Sequence, residues 1–123
     1  MPAFNESEYR NTLAYFTGSE SFTRFGLWRT LATEGAIYTA EALGAFWLLD
    51  EIAANNLAQP RVRLAEFQVW KLKVDVAKST ARLSVEDGND RELWAKVIPF
   101  TDCPVEDVTL WHIGGVILLP TEY

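Results

Sequence analysis

The hydrophobic positions of this chain change period partway along it. From Ala40 to Asn56 apolar residues recur at helical spacing, and Ala45, Leu48, Leu49, Ile52 and Ala53 share one face at about 100° per residue. That face should cover a sheet. From Phe67 the period is two: Trp70, Leu72, Val74 and Val76 alternate with Lys71, Lys73 and Asp75, the signature of a half-buried strand. Thr80–Glu86 repeats the alternation through Ala81, Leu83 and Val85, and the short Ala77-Lys78-Ser79 link makes the two segments antiparallel neighbours. Asp87-Gly88-Asn89-Asp90 is a hairpin-turn signal that returns the chain along Leu93–Phe100. Pro99 has no N–H to donate and suits an edge or a strand end. Val108–Ile113 and Val116–Leu119 flank Gly114-Gly115, which reads as a two-residue hairpin turn or as an interruption of one strand.

The N-terminal third is less regular. Glu8–Phe16 predicts a short helix that groups Tyr9, Leu13 and Phe16, ended by Thr17-Gly18-Ser19. Phe22, Phe25, Leu27, Trp28 and Leu31 lead into Thr33-Glu34-Gly35, where Gly35 reads as a turn residue tolerant of positive φ. A hairpin would then pair Trp28–Ala32 with Ala36–Tyr38, with a helical first arm as the alternative. Thr39 is placed to cap the main helix, and Asn55-Asn56 and Pro60 to end it. Gly44 inside that helix costs roughly 0.5–1 kcal/mol relative to Ala, so it marks close packing or the true helix start. The expected architecture is α+β: a single domain over residues 1–123, with an antiparallel sheet of about four to six strands and one main helix packed on a face.

Composition narrows the classes of function. A chain of 123 residues that is 49% hydrophobic and 13% aromatic can bury one core and is no disordered acidic tail. The net charge of −6 opposes a grip on nucleic-acid phosphates, which needs clustered Lys and Arg. Arg61, Arg63, Lys71, Lys73, Lys78 and Arg82 do concentrate positive charge, but Trp70 should point away from Lys71 and Lys73, so no stacking-plus-phosphate surface is expected. One Cys and one His supply neither an intrachain disulfide nor a conventional structural zinc site. The opening residues lack a cationic segment followed by an apolar run, and Gly114–Leu119 is too short to span a bilayer. The expectation is a soluble, cytoplasmic protein without a membrane segment. No calcium loop, phosphate-binding glycine motif or nucleotide fingerprint is present, so neither a cofactor nor a metal is expected.

Candidate chemistry is sparse. His112 alternates with Val108 and Leu110 and titrates in a range suited to acid–base work, although a structural role is the simpler reading. Asp50 and Glu51 are adjacent on a helix, diverge by about 100°, and so do not converge on one atom. Cys103 has no activating base in its local sequence. No catalytic residue is assigned. His112 and Asp50 stand as candidates, and an enzyme is the less favoured reading. Trp47 points away from the Leu48/Leu49/Ile52 stripe and requires a second surface: the N-terminal segment, a partner or a ligand. Glu86, Asp87, Asp90 and Glu92 make one acidic cluster, and Asp102, Glu106 and Asp107 another. Both read most simply as solvated loops, with attraction of a basic surface as the alternative.

Taken together, Phe16-Thr17-Gly18, the Gly44–Ala53 segment GAFWLLDEIA and the Val116–Tyr123 segment VILLPTEY resemble a small uncharacterised bacterial family, found also on mobile elements. Its members carry a Phe-Thr-Gly block, a GAYWLLDEIA-like helix and an LLPSEY-like ending. Trp70-Lys71-Leu72, Glu86-Asp87-Gly88-Asn89 and Ile98-Pro99-Phe100-Thr101-Asp102 agree with that pattern, so the resemblance spans roughly residues 15–123. Phe46 and Thr121 stand at Tyr-like and Ser-like positions. The resemblance implies no assigned activity and no catalytic set. The expected function is therefore a protein-interaction or accessory role in a bacterial or mobile-element system, through an acidic-aromatic surface drawn from Trp47, Glu51, Glu86, Asp87, Asp90, Glu122 and Tyr123. A protein partner or a homodimer would occupy it. The alternative is a small-molecule-binding domain or enzyme with a polar pocket near Asp50, Trp47 and His112. The ending Pro120–Tyr123 is either a structural latch or an interaction edge, because a short polar terminus frays unless it docks.

Overall fold

Alternating burial along the C-terminal half builds the centre of the molecule. The computed structural model describes residues 4–18, 21–26 and 28–123. In chain order these form α1 (Glu6–Leu13), β1 (Phe22–Arg24), β2 (Leu31–Thr33), α2 (Glu34–Leu43), α3 (Phe46–Ala58), α4 (Pro60–Arg63), β3 (Phe67–Asp75), β4 (Thr80–Glu86), β5 (Glu92–Ile98), β6 (Asp107–Ile113) and β7 (Val116–Leu118). A 3₁₀ turn over Pro120–Glu122 follows. The strands form one sheet in the order β1-β2-β7-β6-β3-β4-β5. β2 and β7 pair in parallel, and the other neighbours are antiparallel.

One face of this sheet carries Trp70, Leu72, Val74, Ala81, Leu83, Val85, Val108, Leu110 and Ile117, all buried. These side chains share a core with Ala36, Ala40 and Leu43 of α2 and with Leu48, Leu49, Ile52 and Ala53 of α3. The helical stripe read from the sequence is thus the one that packs. α1 is pinned to α2 by aromatic rings: Tyr9 stacks on Tyr38 at 6.2 Å, and Phe16 meets Tyr38 at 5.5 Å. Burial raises the Tyr9 phenol to about 12.

The architecture departs from the expected four to six antiparallel strands with one main helix. Among the described residues the sheet has seven strands and is mixed, and there are four α-helices. β1 and β2 have three residues each, too short to show a period, and they join by pairing with each other and with the distant β7. The expected hairpin arm Ala36–Tyr38 lies inside α2. Thr33, not Thr39, caps that helix, its hydroxyl accepting the Ala36 N–H at 3.2 Å. The single long helix is two. Gly44 adopts φ 62, and its N–H closes on the carbonyls of Ala40 and Glu41, so the chain leaves one helix and re-enters another after Ala45.

Asn55-Asn56 does not terminate α3, which continues to Ala58. Both amides donate back to the carbonyl four residues earlier, Asn55 to Glu51 at 2.8 Å and Asn56 to Ile52 at 2.9 Å, and so stay within the helical pattern. α1 is shifted towards the N-terminus of its expected range because Asn5 caps it, accepting the Glu8 N–H at 3.0 Å. Ser19 of the expected turn and Leu27 of the apolar run that follows it lie outside the described residues. The tight turn at Gly114 and Gly115, with φ 57 and 84, joins β6 to β7 as an antiparallel pair. Pro99 falls just beyond β5.

Candidate functional site

Gln68 on β3 faces the helices and organises a buried polar cluster. Its amide nitrogen lies 2.8 Å from Asn56 Oδ1, 2.8 Å from the Val62 carbonyl and 2.9 Å from that of Ala65. Its oxygen accepts from Asn56 Nδ2 at 3.0 Å and from the Trp70 indole N–H at 2.9 Å. The strand is thereby tied to α3 and to the turn around α4. Period-two reading put Gln68 on the same side as Trp70, but its partners are brought there by the helices.

His112 sits directly across from Gln68 in the β3–β6 ladder. It is 6% exposed, and neither ring nitrogen has a protein hydrogen-bond partner. Burial lowers its pKa from 6.5 to about 4, so the imidazole is neutral at pH 7. It lines a cavity of about 370 Å³ with Trp28, Arg29, Thr30, Ala53, Asn56, Leu57 and Gly115. Cys103 does not line this cavity. Its thiol is buried, donates to the Val105 carbonyl at 3.7 Å, and is pushed up by desolvation, the opposite of an activated nucleophile.

Trp28 separates two hollows. Its indole N–H donates to Asp50 Oδ1 at 2.8 Å, and beyond it an open hollow of about 250 Å³ is lined by Trp28, Trp47, Asp50, Glu51 and Ala54. The candidates Asp50 and His112 therefore line different hollows with Trp28 as their common wall. Trp47 is half-buried against the core. Glu51 accepts from Lys96 at 2.8 Å and from Asn55 at 3.2 Å. As adjacent helical residues should, Asp50 and Glu51 engage different partners.

Among the described residues no helix covers the other face of the sheet, which is charged along Lys71, Lys73 and Arg82 and apolar towards one end. Phe67, Val69, Trp111, Ile113 and Val116 project there half-buried. Phe67 meets Trp111 edge-on at 4.9 Å, and Trp111 meets Tyr123 at 5.6 Å. A hollow of about 240 Å³ continues past this row, lined by Phe22, Thr33, Ile113, Val116, Leu118, Glu122 and Tyr123. The acidic turn closes the far end: a side-chain atom at Gly88 would stand 2.9 Å from the Phe67 ring, so the turn packs on that phenyl. Within the turn, Asp87 accepts the Asn89 and Arg91 N–H groups at 2.9 and 3.3 Å, which holds its carboxyl below the usual range. Glu86 pairs with Lys71 at 3.1 Å, and Asp90 is exposed.

The tail is docked. Glu122, 6% exposed, accepts from Thr33 Oγ1 at 2.6 Å, Leu119 N at 2.9 Å and Gly35 N at 3.2 Å. Gly35 is required by this approach rather than by a turn, since a Cβ there would lie 2.5 Å from Glu122 Oε1. Tyr123, the next residue, is 79% exposed.

The structure thus divides the residues singled out from the sequence. Glu86, Asp87, Asp90, Glu122 and Tyr123 border the open face, whereas Trp47, Asp50 and Glu51 belong to α3 on the helical side. Sequence reasoning missed Trp111 and Phe67. Both occupy outward positions of apolar strands, a signal legible as an aromatic where alternation calls for a polar residue. Among the described residues, no three His, Cys, Asp or Glu side chains gather to hold a metal ion, and no helix is long and apolar enough to cross a membrane.

Fold and surface together define an α+β domain whose sheet, among the described residues, is covered by helices on one face and carries an aromatic strip on the other. Residues 7–123 match the model of a family of unknown function, DUF6876, and the chain belongs to that family. No curated protein and no solved structure matches it.

Proposed function

We propose that the protein is a small accessory module that recognises a partner protein through the open face of its sheet. The observation that carries this reading is the posture of Tyr123. The residue is 79% exposed, yet its neighbour Glu122 is buried and pinned, and the Tyr123 ring meets Trp111 edge-on. An exposed aromatic already held in place loses little further freedom on binding and offers a large contact area. The uncovered face of an antiparallel sheet is ordinarily polar, so Phe67, Val69, Trp111, Ile113 and Val116 there favour an interaction surface.

The partner's chemistry follows from what borders the row. The acidic turn at residues 87–90 packs its Gly88 on Phe67, Glu86 is paired with Lys71, and the chain carries a net charge of −6. An apolar segment flanked by Lys or Arg is the complement. The resemblance to bacterial and mobile-element proteins points to a host or element protein met in the cytoplasm. Trp47 and Glu51 are not part of this surface.

Photo-crosslinking tests the reading. A benzophenone amino acid replaces Tyr123 in one variant and Leu64, 77% exposed after α4, in another. The expected result is an adduct from position 123 alone, lost with Trp111→Ser, whose mapped peptide is apolar with basic flanks and binds directly when synthesised. An adduct containing only this chain, or none specific to position 123, overturns it.

A further inference from the structure

We propose that the hollow between α3 and Trp28 binds a small quaternary ammonium head, a cation sheathed in methyl groups. The site is independent of the open-face reading, because α3 covers the opposite face of the sheet.

The walls follow from the spacing along α3. Trp47, Asp50, Glu51 and Ala54 recur at three- and four-residue intervals, so they share one flank of the helix, beside its buried stripe. The link between β1 and β2 brings Trp28 up to that flank, where Asp50 Oδ1 accepts its indole N–H at 2.8 Å. Ala54 fills little of the space between them. The result is a recess of about 250 Å³ lined by two indoles and two carboxylates together. Pockets for drug-sized ligands run to roughly 300–1,000 Å³, so this one suits a single head group.

Two acidic residues alone would mark nothing more than a solvated helix flank. The indoles change the chemistry, because the negative face of an aromatic ring attracts a cation and tryptophan does so best. The carboxylates then divide. Glu51 is engaged by Lys96 at 2.8 Å and by Asn55 at 3.2 Å, which leaves Asp50 as the counter-charge for a ligand. Among the described residues that line the recess none is cationic. A primary ammonium is strongly hydrated and would forfeit bonds to water that indole rings do not replace. A methylated head gives up fewer such bonds, and its methyl groups bury apolar area against Trp28, Trp47 and Ala54.

Choline is the probe, with its uncharged isostere, a tert-butyl group in place of the trimethylammonium, as the control for shape and potassium as the control for bare charge. In protein labelled with ¹⁵N-tryptophan, Trp28→Phe and Trp47→Phe assign the two indole signals by their loss. Choline at millimolar concentration should shift both, the isostere should bind about fivefold more weakly, and potassium at equal ionic strength should move neither. Asp50→Asn keeps an oxygen to accept the Trp28 N–H, and it should weaken choline by about threefold to fivefold, the size of an exposed charge pair. Trimethyl-lysine in a short peptide carries the same head, and its affinity relative to choline tells a protein side chain from a free metabolite as the source. Indole signals unmoved by choline overturn the site. Equal binding of the isostere, or unchanged affinity in Asp50→Asn, overturns the cationic assignment. None of these failures touches crosslinking at Tyr123, which reads the opposite face.

Discussion

The Glu122 carboxylate accepts the Thr33 hydroxyl at 2.6 Å, joining residues 89 apart in sequence. Thr33 Oγ1 in turn accepts the Ala36 N–H, so the negative charge of the tail reaches the first turn of α2 through the cap residue. One carboxylate therefore holds the tail, the helix start and the junction with β2.

Replacing Glu122 with Gln keeps the shape and removes the charge. Loss of charge-assisted bonds to buried donors should cost about 1.5–3 kcal/mol. The midpoint of urea unfolding, at unchanged slope, measures it.

Gly35→Ala tests the close approach from the other side. The new methyl would meet Glu122 Oε1 at 2.5 Å and Leu119 Cδ1 at 2.6 Å, and α2 cannot yield easily because Ala36 and Ala40 are buried beneath it. Overpacking of this kind costs typically 1–3 kcal/mol. In a double-mutant cycle with Glu122→Ala the two losses should add to less than their sum, since removing the carboxylate relieves part of the clash.

Gln68→Leu would leave the Trp70 indole N–H, the Asn56 amide and the carbonyls of Val62 and Ala65 without their partner. The side chain is completely buried. A loss of about 3 kcal/mol or more is expected, as several desolvated groups are orphaned together. Calorimetry of the variant would show it as a lowered Tm. A variant of native stability would show that the cluster is not an anchor.

Stability should fall on acidification because of His112. Its folded-state pKa, about 4, lies below the ordinary 6.5, so the unfolded chain takes up the proton first as pH drops. The stabilisation is complete above about pH 6.5 and is lost as pH falls towards 4, amounting to about 3 kcal/mol over that window. His112→Phe should flatten the stability profile between those limits. A profile with the same slope in the variant would assign the acid sensitivity elsewhere.

Much of the sheet was legible before the fold was known. β3 and β4 occupy nearly the segments their alternation marks, and Trp70, Leu72, Leu83 and Val85 are buried as read. The turn at residues 87–90 and the Gly114-Gly115 turn are also where the sequence places them. For the main helix the sequence left Gly44 as close packing or the helix start, and the second holds: its left-handed backbone separates α2 from α3 without interrupting the apolar pattern. The site was less legible. Trp47 draws attention on a helical wheel, but Trp111 is the tryptophan that meets Phe67 and Tyr123. His112 was placed on the inward side of its strand, yet its lack of a partner depends on where Trp28, Asn56 and Gln68 come to rest.

By itself the sequence determined the alternation of β3, β4 and β6, the buried stripe of α3 and the glycine turns. Each is a property of near neighbours, written in the side-chain period and local backbone freedom. The tertiary structure alone decided that β2 would join β7 in parallel, that Glu122 would cap the junction at Thr33, and that Trp28 would wall off His112 from Asp50. Those contacts join residues far apart along the chain, and they form only because burying the two helices on one face of the sheet brings their backbones together.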